Sequence, residues 1–581
     1  AGSGSKAGTK GPDLRASAIV PHSIIHHSLT PTRPGTLTLR LFAMLAVWLA
    51  ASQTWAADAS SSPGETPSAT TQSAEAAGNP VELKTVDRIV IAVYGIGLLA
   101  VGVYFARRTR TTDDYLLGGR KMRSGSVGLS LFASLLSTIT YLAIPGEMIS
   151  KGPVILLSLV SIPIAYVVVG WLLIPYIMRL RVTSAYEILE TRLGVRIRLL
   201  GSVIFLLTRL LWMALIIYIT SDKIVVVMMG WPSKATPYVA IAIGLLTVVY
   251  TSMGGLRAVV FTDVIQSFIL LGGAVLSIVL ITFAMGGVGA WWPHEWSSGW
   301  DLQPVFSLDP HIRVTWIGSI VFMTVWWICT AGSDQMAIQR YLATRDVHTA
   351  RRVFLTTGIT NIVLYFVLAA LGFALMGYFR AYPDLRPPGG DYLANADILF
   401  PYYIVHYLPA GVTGLVISGL LAAAMSSLSS GINSSCSVIG VDFVDRFRRC
   451  EVTDATRFQQ TRIIAVVTGL IAVALSSLMG KVEGNIMEVT VRTNHVFVAP
   501  LFGLFFMAMF VPFATPFGTA CGALAGCAVA VVIAYWDLLT AGRPLSFQWI
   551  SLASLIVNLI VGCAVSRLSA GAQQRRQRGP Y

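Results

Sequence analysis

Charged residues are scarce in this chain. Of its 581 residues only 12% are Asp, Glu, Lys or Arg, whereas 55% are hydrophobic, and the mean hydropathy is +0.70. A typical soluble domain has about 25% charged residues, so this composition argues against a soluble fold. Apolar runs of about 20 residues recur along most of the chain, which indicates a protein that crosses a membrane many times.

Cysteine is also sparse. The six cysteines are Cys329, Cys436, Cys450, Cys521, Cys527 and Cys563. They fall in apolar segments or in one basic loop, and they form no CxxC pair and no paired spacing in an external loop. The sequence therefore predicts neither disulfide bonds nor a zinc site.

Enzyme and cofactor motifs are missing as well. The sequence contains no HExxH, no GxSxG and no glycine-rich phosphate loop. These absences argue against a membrane enzyme and against an organic cofactor. The formal net charge of +14 could suggest a nucleic-acid partner, but its distribution along the chain gives another explanation.

The apolar runs predict an all-α polytopic membrane protein with about thirteen transmembrane helices. Their approximate ranges are 86–107, 125–150, 153–178, 197–230, 235–253, 257–285, 313–336, 352–378, 409–441, 461–479, 486–511, 516–536 and 548–567. If alternate loops face the cytoplasm, beginning with "ARRTRTTDDYLLGGRKMR", those loops and the C-terminal "RRQR" hold most of the Lys and Arg. This asymmetry predicts an external N-terminus and a cytoplasmic C-terminus in the cell (inner) membrane. It also explains the positive net charge without nucleic acid.

The ends of the chain differ in composition from its middle. Arg33 and Arg40 precede "LFAMLAVWLAA" and "SQTWAADA", so residues 1–57 are interpreted as an N-terminal extension with a secretory signal, or alternatively as a first transmembrane helix. Residues 58–84 are rich in Ser, Thr, Pro and Ala and predict a disordered external linker. Residues 85–568 contain the predicted spans and form one membrane domain, and residues 569–581 form a basic cytoplasmic tail.

A run of serines interrupts one predicted membrane helix, in "LAAAMSSLSSGINSSCSVIG" at residues 421–440. At 100° per residue one stripe of this helix carries small and hydroxyl side chains: Ala423, Ser426, Ser427, Ser430 and Ser434, widened by Ser429. Close packing of helices is one explanation, because small residues let backbones approach each other. A sodium site is the other, because Na⁺ needs several oxygen ligands in a confined space.

Two further spans are interrupted by polar residues. Residues 130–152 place Ser137, Thr138 and Thr140 before Pro145, and residues 325–344 have a polar stretch from Thr330 to Gln335. Irregular backbone at this depth is tolerated only where it lines a cavity. The two spans are the second and the seventh, five apart, which suits an inverted repeat of two five-helix halves.

Several stretches together resemble the sodium:solute symporter family over about residues 85–568. They are "DDYLLGGRKM" with "SLFASLLSTITYL", "GGLRAVVFTDVIQ", "DQMAIQRYLAT" and "AAAMSSLSSGIN". The resemblance implies a leucine-transporter-type fold, an inverted 5+5 helix repeat with one helix before it and two after. It also implies Na⁺-coupled symport of a small organic solute, which could be a sugar, a sialic acid or another organic acid. Na⁺ would be the coupling ion. The protein would be embedded in the lipid bilayer and would function as a monomer.

The resemblance also implies two sodium sites. In the first, the carbonyls of Ala133, Leu136 and Ala423 and the hydroxyls of Ser426 and Ser427 would bind the ion. In a second, known in some members, the ligands would be Asp263, Ser426, Ser429 and Ser430.

Asp263 can also be considered on physical grounds. A carboxylate inside a span costs ~2.5–3.5 kcal/mol on insertion scales, so it should have a cationic partner. A bound cation is one candidate. The alternative is an ion pair with Arg257, six residues earlier and near a helix end.

Five residues are candidates for binding the solute. The resemblance implies Ser137 and Thr140 as solute contacts. Sialic acid transporters carry an Arg where this chain, counted without gaps, has Trp212, and Arg209 lies one turn earlier as a substitute or as a structural partner of another group. If no cation reaches the pocket, a neutral sugar or polyol is favoured over an anion. Trp326 could stack on the solute, or it could pack against other aromatic residues.

Two other function classes remain open at this stage. A proton-coupled symporter on the same scaffold would differ only in its coupling ion. A non-transporting membrane sensor would bind a ligand without moving it.

Overall fold

The computed structural model describes residues 83–180, 182–297, 300, 303–387, 393, 396–479 and 486–577. The predicted signal segment and the predicted linker up to residue 82 lie outside these residues. Within the described part the chain is helical, without a strand. The helices are α1 (Thr85–Ala106), α2 (Thr112–Leu117), α3 (Ser124–Leu135), α4 (Thr138–Ser150), α5 (Pro153–Arg179), α6 (Glu187–Leu193), α7 (Val195–Val226), α8 (Thr236–Met285), α9 (Trp316–Ser333), α10 (Gln335–Leu342), α11 (Val347–Ala381), α12 (Leu399–Tyr407), α13 (Val412–Phe447), α14 (Asp454–Ser476), α15 (Ile486–Phe510), α16 (Pro516–Ala534), α17 (Trp536–Thr540) and α18 (Gln548–Gln577).

Most of these helices can cross a membrane. Eleven are long and apolar enough by themselves, and the bent pair α3 and α4 raises the number in the described residues to twelve. The prediction of an all-helical, multiply spanning protein is therefore confirmed. The predicted number of thirteen differs because residues 235–253 and 257–285, predicted as two spans, are counted together in α8, although the non-helical backbone of Gly255 separates them. The helix α18 extends through Gln577 and so includes part of the predicted basic tail.

The first predicted interruption is a break between α3 and α4. The two helices are bent by 68° relative to each other. Leu136 and Ser137 have extended backbone, and the Ser137 hydroxyl caps α4 by accepting a hydrogen bond from the amide of Thr140 (3.4 Å). Pro145 lies inside α4, eight residues beyond the break, so the hydroxyl residues and not the proline mark where the helix is interrupted.

The second predicted interruption is a break between α9 and α10. Asp334 has extended backbone there, and its carboxylate caps α10 by accepting a hydrogen bond from the amide of Met336 (2.8 Å). Both breaks therefore use a short polar side chain to satisfy amides that would otherwise be unpaired within the membrane.

The serine-rich helix α13 lies in the middle of the bundle. It packs against α8, α1, α14, α7 and α3, and every residue from Ala422 to Val438 is buried. Its serines therefore face other helices and not lipid. The small side chains allow this close packing, and the hydroxyls of Ser426 and Ser427 bond to polar groups on the neighbouring helices.

Candidate functional site

The break between α3 and α4 contacts α13 through one serine. The hydroxyl of Ser427 donates to the carbonyl oxygen of Leu136 (2.7 Å) and approaches that of Ser134 (3.2 Å). These carbonyls lie where α3 ends, so they lack the amide partners that a continuous helix would supply. The contact joins two elements that are about 290 residues apart in the sequence.

A small cavity lies beside this contact, between α3, α8 and α13. It is lined by Phe132, Ala133, Leu136, Gln266, Ser267, Leu270, Ala422, Ala423 and Ser426. Four of the five residues predicted for the first sodium site are in this lining, and the fifth, Ser427, is bonded to the Leu136 carbonyl. The structure therefore brings all five residues together around this cavity.

Asp263 lies on α8 next to this cavity and is completely buried. Its Oδ1 accepts a hydrogen bond from Ser426 (2.7 Å), and its Oδ2 accepts one from Ser130 (2.5 Å). The alternative pairing with Arg257 is wrong. Arg257 instead pairs with Asp114 (2.8 Å), because its side chain points toward the loop that follows α2.

The cationic partner of Asp263 is Arg340 on α10, which is also completely buried. Its Nη2 lies 3.4 Å from Asp263 Oδ2 and donates to the hydroxyls of Ser134 (2.5 Å) and Ser430 (2.6 Å). Its Nε donates to Ser130 (3.0 Å). The guanidinium group thus lies among oxygens that the sequence assigned to a second sodium ion.

The second predicted site is only partly assembled by direct contacts. Ser426 bonds to Asp263, and Ser430 is linked to it through Ser134 and Arg340. The Ser429 hydroxyl donates to the carbonyl of Ser426 on its own helix (3.0 Å).

Sequence reasoning missed three residues of this cluster, Ser130, Ser134 and Arg340. Two signals were present. Ser130 and Ser134 are four apart on α3 and so share a helix face, and Arg340 is the cation inside "DQMAIQRYLAT".

Arg209 reaches the second break. Its Nη2 pairs with the carboxylate of Asp334, and its guanidinium carbon lies 5.6 Å from the ring centre of Phe205. Both charged groups are largely buried. Trp212, one turn further along α7, is buried as well. Arg209 is thus partnered by a carboxylate, but its Nε has no hydrogen-bond partner among the described residues.

One face of α9 carries two more unused hydrogen-bond donors. Trp326 and Thr330 are four residues apart, so they share a face of the helix, and Asp334 follows directly after its end. The indole nitrogen of Trp326 and the hydroxyl of Thr330 are buried without a partner among the described residues. Trp326 also packs edge-to-face on Trp327, with ring centres 5.1 Å apart. Buried polar groups are normally hydrogen-bonded, so a ligand with hydrogen-bond acceptors could bind to these two donors.

Three of the five predicted solute residues lie at one of the two breaks. Ser137 and Thr140 are at the first break, where Ser137 is buried and Thr140 is partly exposed. Arg209, Trp212 and Trp326 are on α7 and α9, and Arg209 reaches the second break.

Comparisons with known proteins agree with this architecture. The family model of the sodium:solute symporter family matches residues 115–529. The sodium/sialic acid symporter SiaT of Proteus mirabilis is 30% identical over 505 residues, which covers 84% of this chain and 95% of SiaT. The human sodium-coupled monocarboxylate transporter 1 is 26% identical over 458 residues, covering 77% of this chain and 72% of that protein.

A solved structure is also similar. It shows a substrate-bound, outward-open state of a Na⁺-coupled sialic acid symporter, described as revealing a novel Na⁺ site. It has a TM-score of 0.71 and 26% sequence identity, and the match covers 84% of this chain and 98% of that one. On the extent of the family match, this chain belongs to the sodium:solute symporter family.

Proposed function

We propose that this chain carries a sugar, a sialic acid or another small organic acid into the cell together with Na⁺, and that the first sodium ion binds where α13 meets the break between α3 and α4. The observation that carries the proposal is the Ser427 hydroxyl on the Leu136 carbonyl. In the sodium-bound form the ion takes the place of that hydrogen bond. Its ligands are the carbonyls of Ala133, Leu136 and Ala423 and the hydroxyls of Ser426 and Ser427.

Sodium at this position couples the ion to the solute. The ion joins the broken helix to α13, so it stabilises the arrangement in which the first break is ordered for solute binding. Release of the ion on the cytoplasmic side separates the two elements again. One positive charge moving through 100 mV contributes ~2.3 kcal/mol toward accumulation of the solute.

A second sodium ion binds at Asp263, with Ser426, Ser429 and Ser430. The Arg340 guanidinium, 3.4 Å from the carboxylate, supplies the compensating positive charge while that ion is absent. The ion and the guanidinium therefore alternate at the carboxylate. The solved sialic acid symporter is described as having a novel Na⁺ site, which supports a second ion here.

The solute is rich in hydrogen-bond acceptors. The unused donors of Arg209, Thr330 and Trp326 suit carboxylate, carbonyl or hydroxyl oxygens. The relatives named for sialic acid and monocarboxylate support an acidic solute. Because Asp334 already balances the charge of Arg209, a neutral sugar is the second candidate.

The membrane arrangement has thirteen spans, with an external N-terminus and a cytoplasmic C-terminus. The 50 residues of α8 would extend about 75 Å as a straight helix, far more than the ~30 Å core of a bilayer. Gly255 has φ +61° and ψ −160° in the middle of α8, and we place the boundary between two spans there. The two breaks then occupy equivalent positions in an inverted 5+5 repeat, and the transporter works as a monomer in the inner membrane.

Uptake by the purified chain in proteoliposomes tests the proposal. Labelled sialic acid, glucose and lactate are supplied in Na⁺ or in choline at the same pH. We expect uptake of one solute in Na⁺ only, increased by an inside-negative potential. Equal uptake in choline, or uptake driven by a pH gradient alone, would favour proton coupling, and saturable binding without uptake would favour a sensor.

The second ion is tested by Asp263→Asn. We expect the sodium dependence of uptake to lose its sigmoidal form, with the Hill coefficient falling toward one. Because this change leaves Arg340 buried without a counter-charge, Asp263→Asn with Arg340→Gln serves as the variant that keeps the site neutral. An unchanged Hill coefficient in both variants would exclude Asp263 as a sodium ligand.

A further inference from the structure

An aromatic groove lies at the end of the bundle where α5 begins and α11 ends. Its volume is about 940 Å³ including its open mouth. The rings and aliphatic groups that line it include Leu156, Trp292, Trp296, Trp300, Phe366 and Phe373. It is separate from both breaks and from the cluster around Asp263.

The rings of the groove form a connected set. Trp292 packs edge-to-face on Phe373, with ring centres 5.7 Å apart, and Trp300 packs on Phe373 at 5.9 Å and on Trp296 at 5.2 Å. Trp292 and Trp296 nevertheless remain 48% and 47% exposed. Two large indoles held half-exposed in a loop at the end of the bundle are typical of the boundary between membrane and water.

The groove continues into exposed apolar surfaces of two helices. On α5 the exposed apolar residues Val160, Ile164 and Val167 follow a helical spacing away from Leu156. On α11 the exposed residues Ile359, Val363 and Phe366 lead to the groove in the same way. A hydrocarbon chain lying between these two ridges would therefore end in the groove.

The charged groups at the mouth have opposite signs. Glu295 is exposed between Trp292 and Trp296 in the sequence and has no hydrogen-bond or ion-pair partner among the described residues. Arg380 is also exposed and donates to the Ser297 hydroxyl (2.7 Å), next to Trp296. The faces of the indole rings and the carboxylate attract an ammonium group. The guanidinium group can donate hydrogen bonds to a phosphate.

We propose that this groove binds one phospholipid with an ammonium headgroup, of the phosphatidylethanolamine type, from the leaflet at this end of the bundle. Its acyl chain lies between the ridges of α5 and α11. The ammonium contacts Trp292, Trp296 and Glu295, and the phosphate lies on the side of Arg380.

The bound lipid also contacts Trp300, which is bonded to α4, the second half of the broken helix. Trp300 lines the groove and donates from its indole nitrogen to the carbonyl of Ile149 on α4 (3.1 Å). Its ring also packs over Gly152, whose φ of +88° and lack of a side chain permit the approach. Filling the groove therefore stabilises the position of α4.

Native mass spectrometry of the purified chain tests the site, with palmitoyl-oleoyl phosphatidylethanolamine or phosphatidylglycerol added. We expect one retained phosphatidylethanolamine and weaker retention of phosphatidylglycerol. Trp292→Ala with Trp296→Ala should weaken retention by about threefold to tenfold, the effect of losing one or two contacts between a cation and a ring. Trp231→Ala is the matched control, because Trp231 is 45% exposed and does not line the groove.

Ala370→Trp provides an independent variant, because its side chain would fill the groove without removing any ring. We expect it to abolish retention of the lipid. Retention by this variant, equal retention by the Trp292/Trp296 and Trp231 variants, or equal binding of the two lipids would overturn the proposal. The measurement detects lipid directly and does not depend on which solute is transported.

Discussion

Single hydroxyl groups at the centre of this bundle differ in the groups to which they bond. Ser427 satisfies the Leu136 carbonyl, which an alanine at the same position would leave without a partner. Ser418, nine residues earlier on α13, is equally buried but donates only to Gly414 of its own helix (2.8 Å). The same residue type on the same helix therefore has two roles, depending on what its hydroxyl reaches.

We expect Ser427→Ala to raise the sodium concentration for half-maximal uptake by about tenfold, equivalent to ~1.4 kcal/mol of ion binding. The free energy of unfolding should fall by only about 0.5–1.5 kcal/mol, which is the net contribution of one hydrogen bond. The measurements are sodium-dependent uptake and thermal unfolding of the purified chain. Ser418→Ala is the control and should leave the sodium dependence unchanged; a shift equal to that of Ser427→Ala would show that any loss of a hydroxyl on α13 has this effect.

At the scale of the elements, glycine decides where the long helix α8 changes direction. Gly255 has φ +61° and ψ −160°, a conformation essentially restricted to glycine. A Cβ atom there would lie 2.7 Å from Tyr115. Gly272, in the same helix, has helical backbone and open space around the position of a Cβ atom.

We expect Gly255→Ala to destabilise the protein by more than ~1–3 kcal/mol, because strain in the backbone adds to the contact with Tyr115. Gly272→Ala should be neutral or stabilising by about 0.5–1 kcal/mol, since alanine is the better helix former. Thermal unfolding of both variants in detergent checks this. If the two alanine variants unfold at the same temperature, the break at Gly255 does not matter for stability.

A second element-scale contact lies outside the spans, where the short helix Ala396–Ile398 packs on α4. Asp397 lies against Gly146, beside the ion pair of Glu147 and Arg313 (2.7 Å). Burial raises the pKa of Asp397 from 3.8 to about 6; the charge of Glu147 adds to this increase, and that of Arg313 opposes it. The folded protein therefore holds more protons than the unfolded chain between about pH 4 and 6.

Stability should consequently decrease as the pH rises through that window. We expect Asp397→Asn to remove this part of the pH dependence and to raise the unfolding temperature at pH 7, because the amide needs no charge to be buried. The unfolding temperatures of wild type and variant between pH 4 and 7 provide the check. Curves that stay parallel throughout would contradict the role of Asp397.

At the scale of the whole molecule, a buried ion pair joins α13 to α7 at one end of the bundle. Asp442 near the end of α13 is completely buried and accepts hydrogen bonds from Arg198 of α7 (2.6 and 3.0 Å). Its other oxygen accepts from Ser184 (2.8 Å) and Ser202 (2.6 Å). Any alternating movement of α13 against α7 at this end must break these bonds.

We expect Asp442→Asn to loosen this end, because Arg198 loses one of its two carboxylate partners and keeps only the more exposed Glu190 (2.6 Å). Hydrogen–deuterium exchange of peptides covering residues 182–202 should rise. Arg446→Gln is the control, because its ion pair with Glu190 is more exposed and should contribute ~1 kcal/mol or less. Equal exchange in the two variants would mean that the Asp442 pair does not stabilise this end.

Much of this organisation could be predicted from the amino-acid order alone. A membrane helix satisfies its own backbone hydrogen bonds, so apolar runs reveal the spans, and polar residues such as Ser137 and Asp334 mark the breaks where capping is needed. The serine stripe of α13 and its meeting with Ala133 and Leu136 were also predicted, the latter through the resemblance to a family.

The pairing of buried charges was decided only by the tertiary structure. Asp263 is bonded to Arg340, 77 residues away, and not to the nearby Arg257, and Arg209 pairs with Asp334 across 125 residues. Which side chains meet depends on how each helix is rotated and packed against its neighbours. Apolar runs do not encode that rotation, because any face of a buried helix is covered by protein.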